Sequence, residues 1–103
     1  VLAAVPAKAT DFDCAAPHTV SEKTICASAS LSRLDERMAR FYGWLWASLD
    51  DGQRQSLHDE QRLFLAFRDA CGVDTICLRA SYLTRIEDLA DRLRKVIQAR
   101  HVS

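Results

Sequence analysis

The sequence predicts an all-α fold, a small bundle of one short and three longer helices stapled by two disulfides. Apolar residues recur every three or four positions through most of the chain, which is the spacing of a helix with one buried face. Alternating strand patterns and hairpin dipeptides are absent from the sequence, so nothing indicates a sheet. Both prolines, Pro6 and Pro17, precede the periodic region, and no proline interrupts a helix after Thr19.

The first predicted helix is short and begins after Thr19. Thr19 and Glu22 have the spacing of a capping box, in which a Thr and a Glu satisfy free backbone N–H groups at a helix start. This helix carries Cys26, and Ser28 is placed to cap a second helix. Asp50, Asp51 and Gly52 are predicted to end the second helix. Its apolar stripe consists of Leu31, Leu34, Met38, Phe41, Leu45 and Leu49.

A third helix is predicted from about Gln53 to Ala70. Gly72 then supplies the left-handed backbone position that commonly terminates a helix. The apolar side of this helix is formed by Leu57, Phe64 and Cys71, with Phe67 beside them.

A fourth helix follows, and Asp74 is the residue that we expect to cap it. Its apolar residues again step by three and four, which predicts a single buried stripe. The stripe consists of Ile76, Ala80, Leu83, Ile86, Ala90, Leu93 and Ile97.

The N-terminal segment is interpreted as the remnant of a signal peptide. Residues 1–9 are small and apolar, and Ala7-Lys8-Ala9 matches the small-x-small pattern that precedes signal-peptidase cleavage. Thr10 would then be the first mature residue, and residues 10–103 form a single helical domain of ordinary size. No other stretch approaches the ~20 apolar residues of a membrane span, so we expect a periplasmic or secreted protein without membrane insertion.

The cysteines predict two disulfides. Cys14, Cys26, Cys71 and Cys77 are even in number in a short chain with an export signal, which is the setting of a disulfide framework. Zinc ligands need pairs separated by about two to four residues, whereas eleven and five residues separate these pairs. Local pairing, Cys14 with Cys26 and Cys71 with Cys77, is favoured because short loops close at low entropic cost. A nested pairing, Cys14 with Cys77 and Cys26 with Cys71, remains the alternative.

Composition gives no sign of catalysis, a cofactor or a nucleic-acid partner. Fourteen Lys and Arg balance fourteen Asp and Glu, so the chain lacks the basic excess typical of proteins that bind nucleic acid or anionic membranes. His18, His58 and His101 are scattered along the chain, and paired cysteines would leave no thiolate nucleophile. The sequence therefore predicts a protein that is not an enzyme and that binds no metal or cofactor.

Four segments carry a resemblance to a known family. The segments are Phe12-Asp13-Cys14 with Ser21 to Cys26, Leu31 to Glu36 with Tyr42, Glu60 to Gly72, and Cys77-Leu78 with Tyr82, Arg85 and Ile86. Through them the chain resembles, from Phe12 to Leu89, the LprI-like lysozyme inhibitor family of small helical envelope and secreted proteins. The resemblance implies a periplasmic or secreted protein that binds and occludes a lysozyme-type glycosidase; the alternative is a non-catalytic envelope interaction module with another partner. The oligomeric state stays open.

The polar members of these segments can either touch a partner or hold helices together. Glu60, Phe64, Arg68 and Cys71 share one helix face near the expected core. This placement favours a buried ion pair of Arg68 with Glu60 or Glu22. The polar family-motif residues are Glu22, Glu60, Arg68, Tyr82 and Arg85.

Aromatic and basic residues are the candidates for a partner interface. Trp44 and Trp46 lie about 100° to either side of Leu45 on the helix; core packing is the favoured interpretation, and exposed Trp side chains would be interface anchors. Tyr42 is expected in the core. Donors to the carboxyl groups of a lysozyme cleft would come from the loops or from Arg62, Arg79 and Arg85, and the sequence does not choose among them.

Overall fold

A computed structural model describes residues 12–102 as a bundle of four helices. These residues contain no strand, so the predicted all-α fold is confirmed. The predicted signal-peptide remnant, residues 1–9, and the predicted mature N-terminus at Thr10 lie outside the described residues. None of the four helices has the length and apolar character needed to cross a bilayer. The helices are α1 (Val20–Ala27), α2 (Ala29–Ala47), α3 (Asp51–Ala70) and α4 (Thr75–Val102).

Side-chain caps begin the helices where the sequence predicts them. The Thr19 side chain accepts a hydrogen bond from the Glu22 backbone N–H at 3.0 Å, but the Glu22 side chain accepts from the His18 N–H rather than from that of Thr19, so the predicted capping box is only half formed. Ser28 caps α2 through its side chain. Asp74 accepts from the backbone N–H groups of Ile76 and Cys77 at the start of α4. Each cap satisfies a backbone donor that has no partner within its helix.

The predicted boundary between the second and third helices is wrong. The second helix ends at Ala47, and Asp50, expected to end it, is instead the N-cap of α3. The Asp50 carboxylate accepts from the Gln53 backbone N–H at 2.8 Å, while the Gln53 side chain accepts from the Asp50 N–H at 3.0 Å. Acidic residues favour helix N-termini because free N–H groups and the helix dipole attract them, so Asp51 and Gly52 belong to α3.

The core lies between α4 and the other helices, all three of which α4 contacts. The α2 and α4 helices form the most extensive pairing. Tyr42 is buried in this core as predicted. The buried apolar residues are Ile25, Leu31, Met38, Tyr42, Leu45, Leu57, Phe64, Leu78, Tyr82, Ile86 and Leu89.

The stripe predicted for α4 is wrong over its first half and at its last residue, Ile97, which is exposed. Ile76 is 81% exposed and Leu83 is also exposed, whereas Leu78, Tyr82 and Leu89 are fully buried. Apolar residues of α4 point to several sides of the helix, so their spacing alone does not show which side faces the core. The inward face holds Tyr82, which can bury its ring because its hydroxyl finds a hydrogen-bond partner on α2.

Two disulfides staple the bundle. They join Cys14 to Cys26 and Cys71 to Cys77, each with a Cα–Cα distance of 5.6 Å. The predicted local pairing is therefore confirmed, and the nested alternative is wrong. One disulfide ties the segment before α1 to the end of α1, and the other closes the turn between α3 and α4. Gly72 in that turn has φ +62°, the left-handed position expected of it.

Candidate functional site

Arg68 lies at the centre of a buried polar layer, formed by Glu22, Asp35, Arg68, Asp69 and Tyr82. Its side chain is 0% exposed. The Nη2 atom is 3.2 Å from Glu22 Oε2 and 2.8 Å from Asp69 Oδ1. The predicted buried ion pair therefore forms, with Glu22 rather than Glu60 as the partner. This pair joins α1 to α3.

Ser21, which sequence reasoning missed, strengthens the same contact. It is fully buried, and its hydroxyl lies 2.8 Å from the Gly72 carbonyl oxygen and 3.1 Å from that of Asp69. The hydroxyl hydrogen therefore points toward carbonyl oxygens at the end of α3 and in the turn that follows it, and the contact ties α1 to this turn. The one feature of the sequence that could have indicated a structural role for Ser21 is its position next to Glu22 in a family-like segment.

Tyr82 and Asp35 join α4 to α2 within the buried polar layer. The Tyr82 hydroxyl donates to Asp35 Oδ1 at 2.7 Å. Burial raises the pKa of Asp35 to about 6, against the lowering effects of the Tyr82 hydrogen bond and the Arg68 charge. Burial also raises the pKa of the Tyr82 phenol, so it remains a donor throughout the neutral range.

Arg85 is committed to contacts inside the bundle. It is buried; its Nε donates to Gln61 Oε1 at 3.0 Å, and its Nη1 lies 3.2 Å from Asp88 Oδ2. Glu60 is half-buried beside it and pairs with Arg92. The five polar family-motif residues thus form contacts between helices. Because Arg85 is buried in such contacts, it is no longer a candidate donor to a partner protein.

The two tryptophans have different surroundings. Trp46 packs partly buried against the core, with its ring stacked 6.0 Å from that of Tyr42 and the Arg54 guanidinium 5.5 Å from its centroid. Trp44 is 53% exposed and touches the Phe41 ring edge-on. The prediction of core packing is confirmed for Trp46 and wrong for Trp44. The start of α3 covers the side of α2 that carries Trp46 and leaves the side that carries Trp44 exposed.

An arginine groove of about 430 Å³ lies between α2 and α4. It is lined by Arg33, Arg37 and Arg40 of α2 and Arg79 of α4, with Glu36 and Leu34. All four arginines are exposed, and within residues 12–102 no carboxylate pairs with any of them. Of the two exposed arginines singled out by sequence, Arg79 joins this groove and Arg62 lies apart on α3.

A second groove, about 680 Å³ in volume, lies between α3 and α4. This apolar groove is lined mainly by Leu63, Phe64 and Phe67 of α3 and by small α4 residues, with Glu60 and Asp88 among its lining residues. Phe67 was expected beside the core, yet it is 72% exposed. It is exposed because the ring of Phe64, one turn earlier, takes the inward position against Tyr82.

The two grooves offer binding surfaces, one cationic and one apolar. In the part of the chain that the structure describes, no three His, Cys, Asp or Glu side chains converge as metal ligands. Unpaired guanidinium groups can bind planar anions through two parallel hydrogen bonds, whereas an exposed apolar patch binds other apolar surfaces.

One comparison with known proteins gives a match. The family model described as "Lysozyme inhibitor LprI" matches residues 14–100. The matched range contains both disulfides, all residues of the arginine groove and nearly all of the four helices. No curated protein and no solved structure matches the chain.

Proposed function

This chain belongs to the lysozyme inhibitor LprI family, and we propose that it is a non-catalytic exported protein that binds a lysozyme-type glycosidase and occludes its active-site cleft. The observation that carries the proposal is the family match over residues 14–100. That range includes the complete buried polar layer, so the match extends to the residues that hold the helices together.

The chemistry of the target gives this proposal a physical basis. Glycosidases of the lysozyme type cleave with two carboxyl groups on either side of the scissile bond. A protein that occludes such a cleft gains from cationic donors placed opposite those carboxyl groups. The arginine groove provides four exposed guanidinium groups without a carboxylate partner within residues 12–102.

The disulfides support export of the protein. Disulfides form and persist in the periplasm and outside the cell, and they are rare in the reducing cytosol. The bonds Cys14–Cys26 and Cys71–Cys77 use all four cysteines of the chain. We therefore propose a periplasmic or secreted location, where the protein would meet enzymes that degrade the cell wall.

A lysis assay tests the proposed function. A suspension of bacterial cell walls is cleared by lysozymes of several classes, with and without the disulfide-bonded protein at micromolar concentration. We expect clearing by at least one lysozyme to slow with added protein and to reach a plateau near equimolar amounts. A heat-denatured, reduced sample is the control. Unchanged clearing by every lysozyme class would contradict the proposal.

The apolar groove favours a second candidate, an envelope interaction module that binds a protein other than a lysozyme. Exposed apolar residues such as Leu63 and Phe67 commonly mark protein interfaces when they are clustered. Capture from a periplasmic extract by the protein and by its Phe67→Ser variant would distinguish the candidates. A partner that is lost with Phe67→Ser, together with unchanged lysis, would support the second one.

A further inference from the structure

We propose that the arginine groove is the surface that faces the target's cleft, where the arginines that line the groove bind the acidic side chains of that cleft. The inference rests on the proposed function and names the part of the molecule that would perform it. The partner chemistry to which it commits is a carboxylate-bearing protein cleft.

The first argument is that these arginines are free to bind. Five of the seven arginines outside the groove, Arg54, Arg68, Arg85, Arg92 and Arg94, lie within 4.0 Å of a carboxylate of this chain. Arg33, Arg37, Arg40 and Arg79 have no such neighbour among the described residues. A guanidinium group that is already paired would have to break that pair before it could bind a second protein, whereas these four would not.

The second argument is the concentration of charge. Four arginines against Glu36 give the groove a formal charge of +3, although the whole chain has a net charge of 0. The positive charge is therefore local. A local positive groove attracts an acidic cleft and orients the protein as it approaches, without a positive net charge that would attract every anionic surface.

The third argument is dimension and rigidity. Arg33, Arg37 and Arg40 follow one another along the same side of α2, over a rise of about 10 Å from first to last. The two carboxyl groups of a glycosidase are about 5 to 9.5 Å apart, so this row can reach both. The two helices that form the groove are held in a fixed relation by their extensive packing and by the hydrogen bond from Tyr82 to Asp35 beside the groove.

The apolar groove fits such a cleft less well. Its charged lining residues are Glu60, Arg85 and Asp88, and Arg85 is already paired with these two carboxylates, so the groove offers no unpaired cation to the carboxyl groups of a cleft. The arginine groove contains a single carboxylate, that of Glu36. Charge complementarity thus favours the arginine groove.

Charge reversal tests the inference. The inhibition constant for a lysozyme that the wild-type protein inhibits is measured for Arg37→Glu/Arg79→Glu. We expect it to rise about 100-fold, as for loss of close interfacial charge pairs. The matched control, Lys23→Glu/Arg94→Glu, changes the net charge equally at exposed sites outside the groove, and its inhibition constant should stay within about threefold of wild type.

A neutral variant and a salt series separate a binding defect from a folding defect. Arg37→Gln/Arg79→Gln should melt at or slightly above the wild-type temperature and still inhibit about tenfold less well. Wild-type inhibition should weaken as ionic strength rises, because salt screens the exposed charges. The dependence on salt should be smaller in the neutral variant.

The outcomes distinguish the inference from the proposed function on which it rests. If wild type inhibits and Arg37→Glu/Arg79→Glu inhibits equally well, the inference is wrong and the proposed function stands. Loss of inhibition only with Phe67→Ser or with Arg62→Glu would assign binding to another surface and would likewise overturn it. If wild type inhibits no lysozyme, the proposed function itself fails. Equal binding of wild type to anionic phospholipid vesicles and to the lysozyme would overturn the commitment to a protein cleft.

Discussion

The buried polar layer and the arginine groove both depend on arginine, but they use it in opposite ways. Arg68 is fully buried with Glu22 and Asp69 on its guanidinium group, whereas Arg37 and Arg79 are exposed without a carboxylate within 4.0 Å in residues 12–102. A paired, buried guanidinium holds helices together and is inaccessible to another protein. An unpaired, exposed one contributes little to stability and is accessible. The family-like polar residues thus belong mainly to the scaffold, and the proposed binding surface lies elsewhere.

Removal of Arg68 should produce the largest effect on stability. Arg68→Ala leaves the Glu22 carboxylate buried without its cation, and breaking a buried pair from one side costs about 3–5 kcal/mol. Urea unfolding followed by far-ultraviolet circular dichroism measures the loss. Arg33→Ala, an exposed arginine in the groove, is the matched control and should change the free energy of unfolding by no more than about 0.5 kcal/mol. Equal losses for the two variants would remove the distinction between the regions.

Loss of the disulfide next to the buried polar layer should have the next largest effect. Cys14 and Cys26 are 12 residues apart, and opening a loop of that size costs about 3 kcal/mol through the unfolded-state entropy. The bond also holds Phe12 near the layer, where its ring lies 5.0 Å from the Arg68 guanidinium. Cys14→Ser/Cys26→Ser should therefore lower the melting temperature.

The same disulfide variant should leave the arginine groove intact. The arginine groove is formed by α2 and α4, and neither cysteine lines it. At temperatures well below its melting point, Cys14→Ser/Cys26→Ser should therefore inhibit the target as wild type does. A parallel loss of stability and inhibition at such temperatures would show that the groove depends on the segment before α1.

The parts of the fold that the sequence predicts well are those set by local chemistry. The Thr19, Ser28 and Asp74 caps and the Gly72 turn each follow from the needs of a few neighbouring backbone groups. The local disulfide pairing follows from short loop closure. These features form wherever the rest of the chain lies, so they can be recognised without the tertiary structure.

The parts that the sequence predicts poorly depend on which helix lies beside which. Trp44 and Trp46 lie at equal angles on either side of the buried face of α2. The position of α3 decides which of the two is covered. The inward face of α4 depends in the same way on Asp35 of α2, which accepts the Tyr82 hydroxyl. Recognition of the arginine groove also required the fold, because Arg79 comes to Arg33 and Arg37 from another helix.

The carboxyl group of Asp35 should make the buried polar layer sensitive to pH. Its pKa is raised from 3.8 to about 6 by burial, so the folded chain holds a proton that the unfolded chain releases between pH 4 and 6. The stabilisation from this proton is complete below about pH 4 and is lost as the pH rises through about 6. Asp35→Asn, which can still accept the Tyr82 hydroxyl, should raise the free energy of unfolding at pH 7 by about 1–2 kcal/mol.

The pH profile of unfolding checks this expectation. Between pH 4 and 7 the free energy of unfolding of Asp35→Asn should change less than that of wild type, and the two proteins should be closest in stability near pH 4. If the free energies of unfolding of the two proteins changed with pH in parallel, the Asp35 carboxyl group would be ionised across this range in the folded protein, and the expectation would be wrong. Glu36→Gln, an exposed carboxyl next in sequence, is the matched control and should leave the profile unchanged.

The smallest expected effect is also a gain in stability, and it concerns the arginine groove. Arg37 has like charges four residues before it and three after it, at Arg33 and Arg40, and like charges at such helical spacings destabilise a helix by about 0.2–0.5 kcal/mol per pair. Arg37→Gln should therefore raise the free energy of unfolding by about 0.5 kcal/mol at low salt, and high salt should abolish the gain because it screens the repulsion. Arg94→Gln, which removes an arginine paired with Asp91, should instead lower stability slightly or leave it unchanged. If Arg37→Gln gained stability and lost inhibition, the charge of Arg37 would contribute to binding while destabilising the fold.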